Sequence, residues 1–133
     1  MAQTTFSGPV KSDNGFEGNI TGNITGTVTG TVVQPVSAVA AAGTNLATAA
    51  ALSNGVNVVS GADGTKGVAL PTAVAGTTIT IYSSAATNGL VVYANTSDTI
   101  NGGASVTMEG QTWLQAIATS DAAWRTTIFT ANS

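Results

Sequence analysis

The sequence predicts an all-β protein in which an extended N-terminal arm precedes a β-sandwich or small barrel. Three observations predict this fold: glycine-led quartets repeat near the N-terminus, short runs with apolar and polar alternation follow from residue 56, and Gly, Asn, Asp and Ser separate the runs. Alternation with period two is the pattern of extended chain, whereas an α-helix repeats about every 3.6 residues. We therefore divide the chain into an arm, residues 1–35, and a β-domain, residues 36–133.

The arm contains four consecutive quartets, residues 18–33, of the form Gly-x-Ile/Val-Thr, with Val33 in place of the last Thr. The period of four places their branched side chains on one face of an extended segment roughly 50 Å long, more than a strand within a compact domain requires. A flexible Gly/Thr linker is the alternative, and the regular Ile and Val spacing argues against it. The predicted interface residues of the quartets are Ile20, Ile24, Val28 and Val32.

Two of the three Phe residues, Phe6 and Phe16, precede the quartets and flank the turn signal Asn14-Gly15. A short arm cannot bury two aromatic rings alone, so they either dock on a partner or pack on the chain's own β-domain. The predicted docking residues of this region are Phe6, Pro9, Val10 and Phe16.

The Ala-rich stretch after Pro35, residues 36–53, allows two interpretations. We favour an edge strand, and a short helix over residues 44–51 is the alternative. Asn54-Gly55 then predicts a hairpin turn into the next strand, and the glycine-rich residues 61–67 predict a hairpin loop.

Further strands are predicted at 56–59, 66–70, 77–82, 89–94, 104–109, 112–118 and 123–129. So many short strands joined by tight turns indicate a sandwich or a small barrel. The predicted core consists of Val56, Val58, Val68, Leu70, Ile79, Ile81, Leu90, Val92, Ile100, Val106, Met108, Ile117, Trp124 and Ile128.

Composition excludes several classes of function. Only 7% of residues are charged, and the three basic residues, Lys11, Lys66 and Arg125, lie far apart, so we expect no nucleic-acid partner. No apolar run approaches the roughly 20 residues of a membrane span, and no signal peptide precedes the arm, so we expect synthesis in a cytoplasm. The absence of Cys leaves oligomerisation as the expected source of added stability.

We expect no enzyme, no cofactor and no metal. The chain has neither His nor Cys, which are the usual bases, nucleophiles and metal ligands. A glycan-active enzyme using Asp98 and Glu109 is a remote alternative, since the acids lie mostly in predicted turns. Four aromatics are candidates for a sugar-binding platform, although core packing and subunit contact explain them better: Tyr82, Tyr93, Trp113 and Trp124.

Several segments together resemble a β-domain of tailed-bacteriophage virion proteins. They are residues 55–59, 67–71, 75–82, 90–94 and 98–102, with Ala123-Trp124-Arg125 near the end. Residues 6–10, 14–16 and the quartets are similar to the N-terminal arms of small phage head proteins.

This resemblance implies a capsid decoration, or cement, protein on the outer surface of the virion. It implies a homotrimer whose arms reach over neighbouring major capsid protein subunits and stabilise the shell without catalysis. The alternative is a trimeric head or tail fibre, or receptor-binding protein, that binds host surface glycan.

Overall fold

The computed structural model describes Ser7, Asp13, Thr25 and residues 27–130. The chain divides into two units, Met1–Val32 and Val33–Ser133. In the first unit, the described residues belong to no strand or helix. The predicted boundary between residues 35 and 36 stays a prediction.

The second unit is all-β, as predicted, and residues 27–130 include no helix. Its strands coincide closely with the alternating runs of the sequence. They are β1 (Val36–Ala40), β2 (Ala50–Ala51), β3 (Gly55–Ser60), β4 (Gly67–Ala69), β5 (Thr78–Ser83), β6 (Leu90–Tyr93), β7 (Thr99–Ile100), β8 (Ser105–Met108), β9 (Thr112–Ser120) and β10 (Ala123–Thr130).

Two sheets share these strands in an alternating way. The six-stranded sheet has the order β1-β3-β5-β9-β10-β7, and the four-stranded sheet has the order β2-β4-β6-β8. The pairs β1–β3, β3–β5, β2–β4 and β4–β6 are all parallel. The chain therefore crosses from one sheet to the other and back, and successive coils stack as in a β-solenoid.

The parallel coils correct the predicted connectivity. The sandwich or barrel is not confirmed, because the turns of such folds join antiparallel neighbours, whereas here most early turns join the two sheets. The predicted hairpin turn at Asn54-Gly55 is a corner between β2 and β3, and the predicted hairpin loop 61–67 is a corner between β3 and β4. A corner and a hairpin use the same turn residues, so composition does not distinguish them.

Antiparallel strands complete the C-terminal part of the unit. β8 pairs with β6, β9 pairs with β5, and β10 pairs with β9 over eight residue positions. β7 then pairs in parallel with β10 at only Ala123 and Trp124. The six-stranded sheet is therefore extended by a long β9–β10 hairpin beyond the last coil.

One apolar core lies between the sheets. Ile79, Ile81 and Leu114 fill it from the six-stranded sheet, and Val68 and Val92 from the four-stranded sheet, all of them buried. Nine of the predicted core residues are buried: Val68, Leu70, Ile79, Ile81, Leu90, Val92, Ile100, Met108 and Trp124.

The other predicted core residues lie elsewhere, for two physical reasons. Val56 and Val58 are half-buried because β3 directs the alternate residues inward, and Ile117 is exposed because it shares the outer face of β9. Ile128 lies opposite the buried Leu114 in the register but is 41% exposed near the C-terminal end of β10, past the positions at which β7 pairs with this strand. Val106 is half-buried and packs against the core.

One of the three inward positions of β3 is occupied by an asparagine. Asn57 is fully buried, its Oδ1 accepts from the Ser53 backbone N–H at 3.1 Å, and its Nδ2 donates to the Ser53 carbonyl at 2.8 Å. This pair of bonds satisfies the backbone where the chain turns from β2 to β3. Gly55 completes the corner with a φ of +99°, where a Cβ would lie 2.6 Å from the Pro35 carbonyl oxygen.

The Ala-rich stretch is not helical. Residues 36–40 and 50–51 form β1 and β2, which lie at the edges of their sheets, so the predicted edge strand is confirmed there. The residues between them include a turn at 46–48, in which Asn45 Oδ1 accepts from the Thr48 backbone N–H at 3.2 Å. The predicted edge strand is therefore interrupted by this turn between β1 and β2.

We expect Asn57→Ala to lower the free energy of unfolding by about 1–3 kcal/mol, because the substitution removes both partly buried hydrogen bonds to Ser53 and truncates a fully buried side chain. Chemical denaturation monitored by circular dichroism measures this difference. The matched control is Asn54→Ala at the exposed neighbouring turn. Equal stability of the two variants would show that the Asn57 amide does not stabilise the corner.

Candidate functional site

On the outer face of the six-stranded sheet, strand pairing aligns a row of apolar side chains. Register aligns one outward residue from each of five adjacent strands. The row consists of Ala38, Val58, Tyr82, Trp113 and Phe129. We call it the aromatic row.

The three aromatic members of the row lie on neighbouring strands. Trp113 is 41% exposed and Phe129 is 52% exposed. The rings of Tyr82 and Trp113 have centroids 4.7 Å apart and planes tilted by 33°. The two rings therefore cover part of each other's faces and present edges to the surroundings.

The next two rows on one side of the aromatic row mix apolar and polar side chains and are almost without charge. One row contains Val36, Val56, Thr80, Gln115 and Thr127, aligned across the same five strands. The next row aligns Thr78, Ile117 and Arg125. Arg125 is the one charged residue in these rows, so an approaching surface loses little ion solvation here.

The pair Asp63 and Lys66 lies outside this face, in the corner between β3 and β4. The Asp63 carboxylate accepts hydrogen bonds from the Thr65 N–H at 3.0 Å and the Lys66 N–H at 2.9 Å, and it lies 3.3 Å from Lys66 Nζ. The backbone bond from Lys66, followed by the bonds from Thr65, holds the pKa of Asp63 well below its usual range. The glycine-rich loop thus uses its acid for its own conformation.

The two acids considered for catalysis, Asp98 and Glu109, lie in different connections between strands. Asp98 is buried, and its Oδ2 accepts from the Ala73 N–H at 2.7 Å, which ties the β6–β7 connection to the loop before β5. Glu109 is exposed in the connection from β8 to β9, where its backbone carbonyl accepts from Thr112 Oγ1. Among the described residues, no three potential metal ligands cluster together.

The four aromatics proposed for a sugar platform do not form one surface. Tyr82 and Trp113 meet in the aromatic row, whereas Trp124 is fully buried in the core. Tyr93 lies on the four-stranded sheet, covers Gly67 and donates through its hydroxyl to the Thr44 carbonyl at 2.9 Å.

An open cleft of about 380 Å³ lies where the strands of the four-stranded sheet end. Small apolar side chains line most of it, and Asn95 and Thr96 supply its polar wall. The cleft has no charged lining residue. Its composition therefore identifies no particular ligand.

Most of the predicted interface residues lie outside the described residues. These are Phe6, Pro9, Val10, Phe16, Ile20 and Ile24. The remaining two, Val28 and Val32, are described and are 54% and 69% exposed. Their predicted role as an interface stays a prediction.

Two members of the outer face, Phe129 and Ile117, are not among the residues predicted to form a binding surface. The sequence predicts a strand at Phe129 and a core position at Ile117, and the prediction for Ile117 is wrong. The signal that separates them is parity along β9, because Trp113 and Ile117 have odd numbers whereas the buried Leu114, Ala116 and Ala118 have even numbers. The longer apolar run of the even positions identifies the inward face.

Comparisons of this chain with protein-family models, with curated proteins and with solved structures found no match. Within the described part of the chain, no helix is long and apolar enough to cross a membrane.

We expect Asp63→Asn to lower the melting temperature at pH 7, because an amide oxygen accepts the Thr65 and Lys66 bonds less strongly than a carboxylate. Since folding lowers the pKa of Asp63, the carboxylate stabilises the fold above the unfolded-state pKa of about 4 and less as pH falls below it. Thermal melts should show a smaller difference in melting temperature between Asp63→Asn and wild type at pH 3 than at pH 7. Glu109→Gln, which removes the same charge in another exposed connection, is the control; an identical response of both variants would contradict a specific role of Asp63.

Proposed function

We propose that this protein is a non-enzymatic decoration protein of a bacteriophage capsid, which binds the outer face of the major capsid protein shell and stabilises it. The observation that carries the proposal is uncovered apolar surface with almost no charge, on a small domain with a complete core of its own. Contiguous exposed apolar surface is a mark of association with other macromolecules.

The end of the arm supplies part of that surface. Val28, Val32 and Val33 are 54%, 69% and 83% exposed, in a segment otherwise made of Gly and Thr. Branched side chains in an extended segment suit docking along a larger surface, where their burial contributes roughly 25 cal/mol per Å² of apolar area. Attachment by several arms at once would stabilise a shell more than any single arm does.

The polar row beside Trp113 favours a second candidate, a receptor-binding protein for host surface glycan. Gln115, Thr80 and Thr127 present an amide and two hydroxyls next to an exposed indole. A sugar ring stacks on a free aromatic face, however, and Tyr82 already covers part of one face of Trp113. We therefore favour capsid decoration over glycan binding.

We expect a truncated protein that lacks residues 2–33 to remain folded and to lose capsid binding. The described core lies within Val33–Ser133, so circular dichroism should be preserved. Cosedimentation with assembled, undecorated capsids measures binding, and the full-length chain should bind saturably. Retained binding by the truncated protein would assign attachment to another surface.

A charge substitution tests whether capsid binding depends on the apolar face of the arm rather than on the presence of the arm alone. Val28→Asp should weaken capsid binding at least about tenfold, because docking would bury an uncompensated charge. The matched control is Thr27→Asp, which places the same charge on the opposite face of the extended segment. Equal affinities of the two variants would contradict docking by the Val face, and glycan binding without capsid binding would support the second candidate.

A further inference from the structure

We infer that the free edge of β10, residues 126–130, binds an extended segment of another protein as an added strand of the six-stranded sheet. The segment has apolar side chains on the face that flanks Ile128 and an acidic side chain on the face that flanks Arg125. This inference goes beyond the proposed function, because it assigns a binding mode to the second unit alone and does not depend on capsid binding.

The edge is open because β10 is longer than the strand beside it. β7 pairs with β10 no further than Trp124, whereas β9 pairs with it as far as Thr130. The Trp124 carbonyl accepts from the Asn101 N–H at 2.9 Å, so it points to the β7 side. Because the backbone groups of alternate residues point to the same side of a strand, those of Thr126, Ile128 and Thr130 point there as well.

One side chain marks where the open edge begins. The Oδ1 atom of Asn101 accepts from the Thr126 N–H at 3.0 Å, and its Nδ2 donates to Thr126 Oγ1 at 2.7 Å. Beyond this amide, the Thr126 carbonyl, both backbone groups of Ile128 and the Thr130 N–H have no hydrogen-bond partner among the described residues. Donors and acceptors that alternate along an edge match the backbone of another strand.

The apolar side chains at this edge are also uncovered. Ile128 lies opposite the buried Leu114 in the register, yet it is 41% exposed. Phe129, on the other face of β10, is 52% exposed. A strand added about 4.8 Å from β10 would place its side chains beside both residues and remove apolar area from water. The partner therefore needs apolar side chains on the face that flanks Ile128.

The edge lacks the features that usually prevent strand addition. Residues 126–130 read Thr-Thr-Ile-Phe-Thr, without charge, Pro or Gly, and β10 pairs with β9 without irregularity after Trp124. The opposite edge of the sheet, β1, is also uncharged, but its sequence Val-Ser-Ala-Val-Ala consists mainly of small side chains. An added strand therefore buries larger apolar side chains at β10 than at β1.

Charge complementarity defines the rest of the partner. Arg125 is exposed on the outward face of β10, directly before the open edge, and its guanidinium forms no ion pair among the described residues. Thr127 and Phe129 follow it on the same face. An acidic side chain on the outward face of the added strand would pair with Arg125 across the two strands.

The test uses a fluorescein-labelled peptide, Thr-Val-Thr-Val-Glu-Val-Thr-Val-Thr, which has Val on one face and Thr with a central Glu on the other. Fluorescence anisotropy during titration with the full chain measures its affinity. We expect saturable binding to wild type and at least about tenfold weaker binding to Ile128→Pro, because proline removes an N–H that donates to the added strand. Circular dichroism checks that the variant is folded.

The matched control is Ala38→Pro, the same change at the free edge of β1. The Pro35 carbonyl accepts from the Val56 N–H, and the Ala41 N–H donates to the Ser60 carbonyl, so the backbone groups of Ala38 point away from β3. Ala38→Pro should bind the peptide with wild-type affinity.

A charge exchange tests the partner's acidic side chain without any proline. A peptide with Lys in place of Glu should bind wild type about threefold more weakly, and Arg125→Glu should reverse the order of the two peptides. Isotope-edited NMR should show slower hydrogen exchange of the Ile128 and Thr130 amides when the first peptide is bound. A wild type that does not bind the peptide, unchanged affinity in Ile128→Pro, loss of binding in Ala38→Pro, or unchanged peptide order in Arg125→Glu would overturn the inference.

Discussion

In-register hydrogen bonding between successive coils determines which side chains meet in this protein. β1, β3 and β5 pair in parallel without a register shift, so each inward or outward position continues from one coil to the next. β9 and β10 then extend the same rows in antiparallel direction. Rows of aligned side chains are therefore the unit from which both the core and the outer face are built.

The inward rows and the outward rows differ in composition. Inward rows bury branched and aromatic residues, and the inward Asn57 of β3 bonds to the backbone of Ser53 in the preceding corner. Outward rows on the six-stranded sheet combine apolar and hydroxyl side chains with almost no charge. Such a surface is stable within an isolated domain but gains further free energy when another surface removes it from water.

The strands were predictable because alternation with period two persists wherever a strand has one buried face, as in β5 and β9. The connections between the strands were not predictable, because Asn54-Gly55 forms a corner as readily as a hairpin turn. The local sequence does not indicate which of the two sheets the next strand joins. The predicted core positions of β3, Val56 and Val58, were wrong because these residues point outward and alternate with the buried Asn57. In a parallel coil the polar residue can be the inward one when its amide bonds to backbone.

The candidate surface was predictable only in part. The two central rings, Tyr82 and Trp113, were recognised as candidate binding aromatics, but their alignment with Phe129 depends on pairing between strands that are distant in sequence. The arm residues were identified from their own local repeat, which requires no tertiary information.

Electron cryomicroscopy of capsids incubated with the full-length protein tests the proposed decoration function most directly. We predict density for the all-β unit on the outer surface of the shell, with the N-terminal segment in contact with the major capsid protein. Capsids that remain undecorated at saturating protein concentration would contradict the proposal.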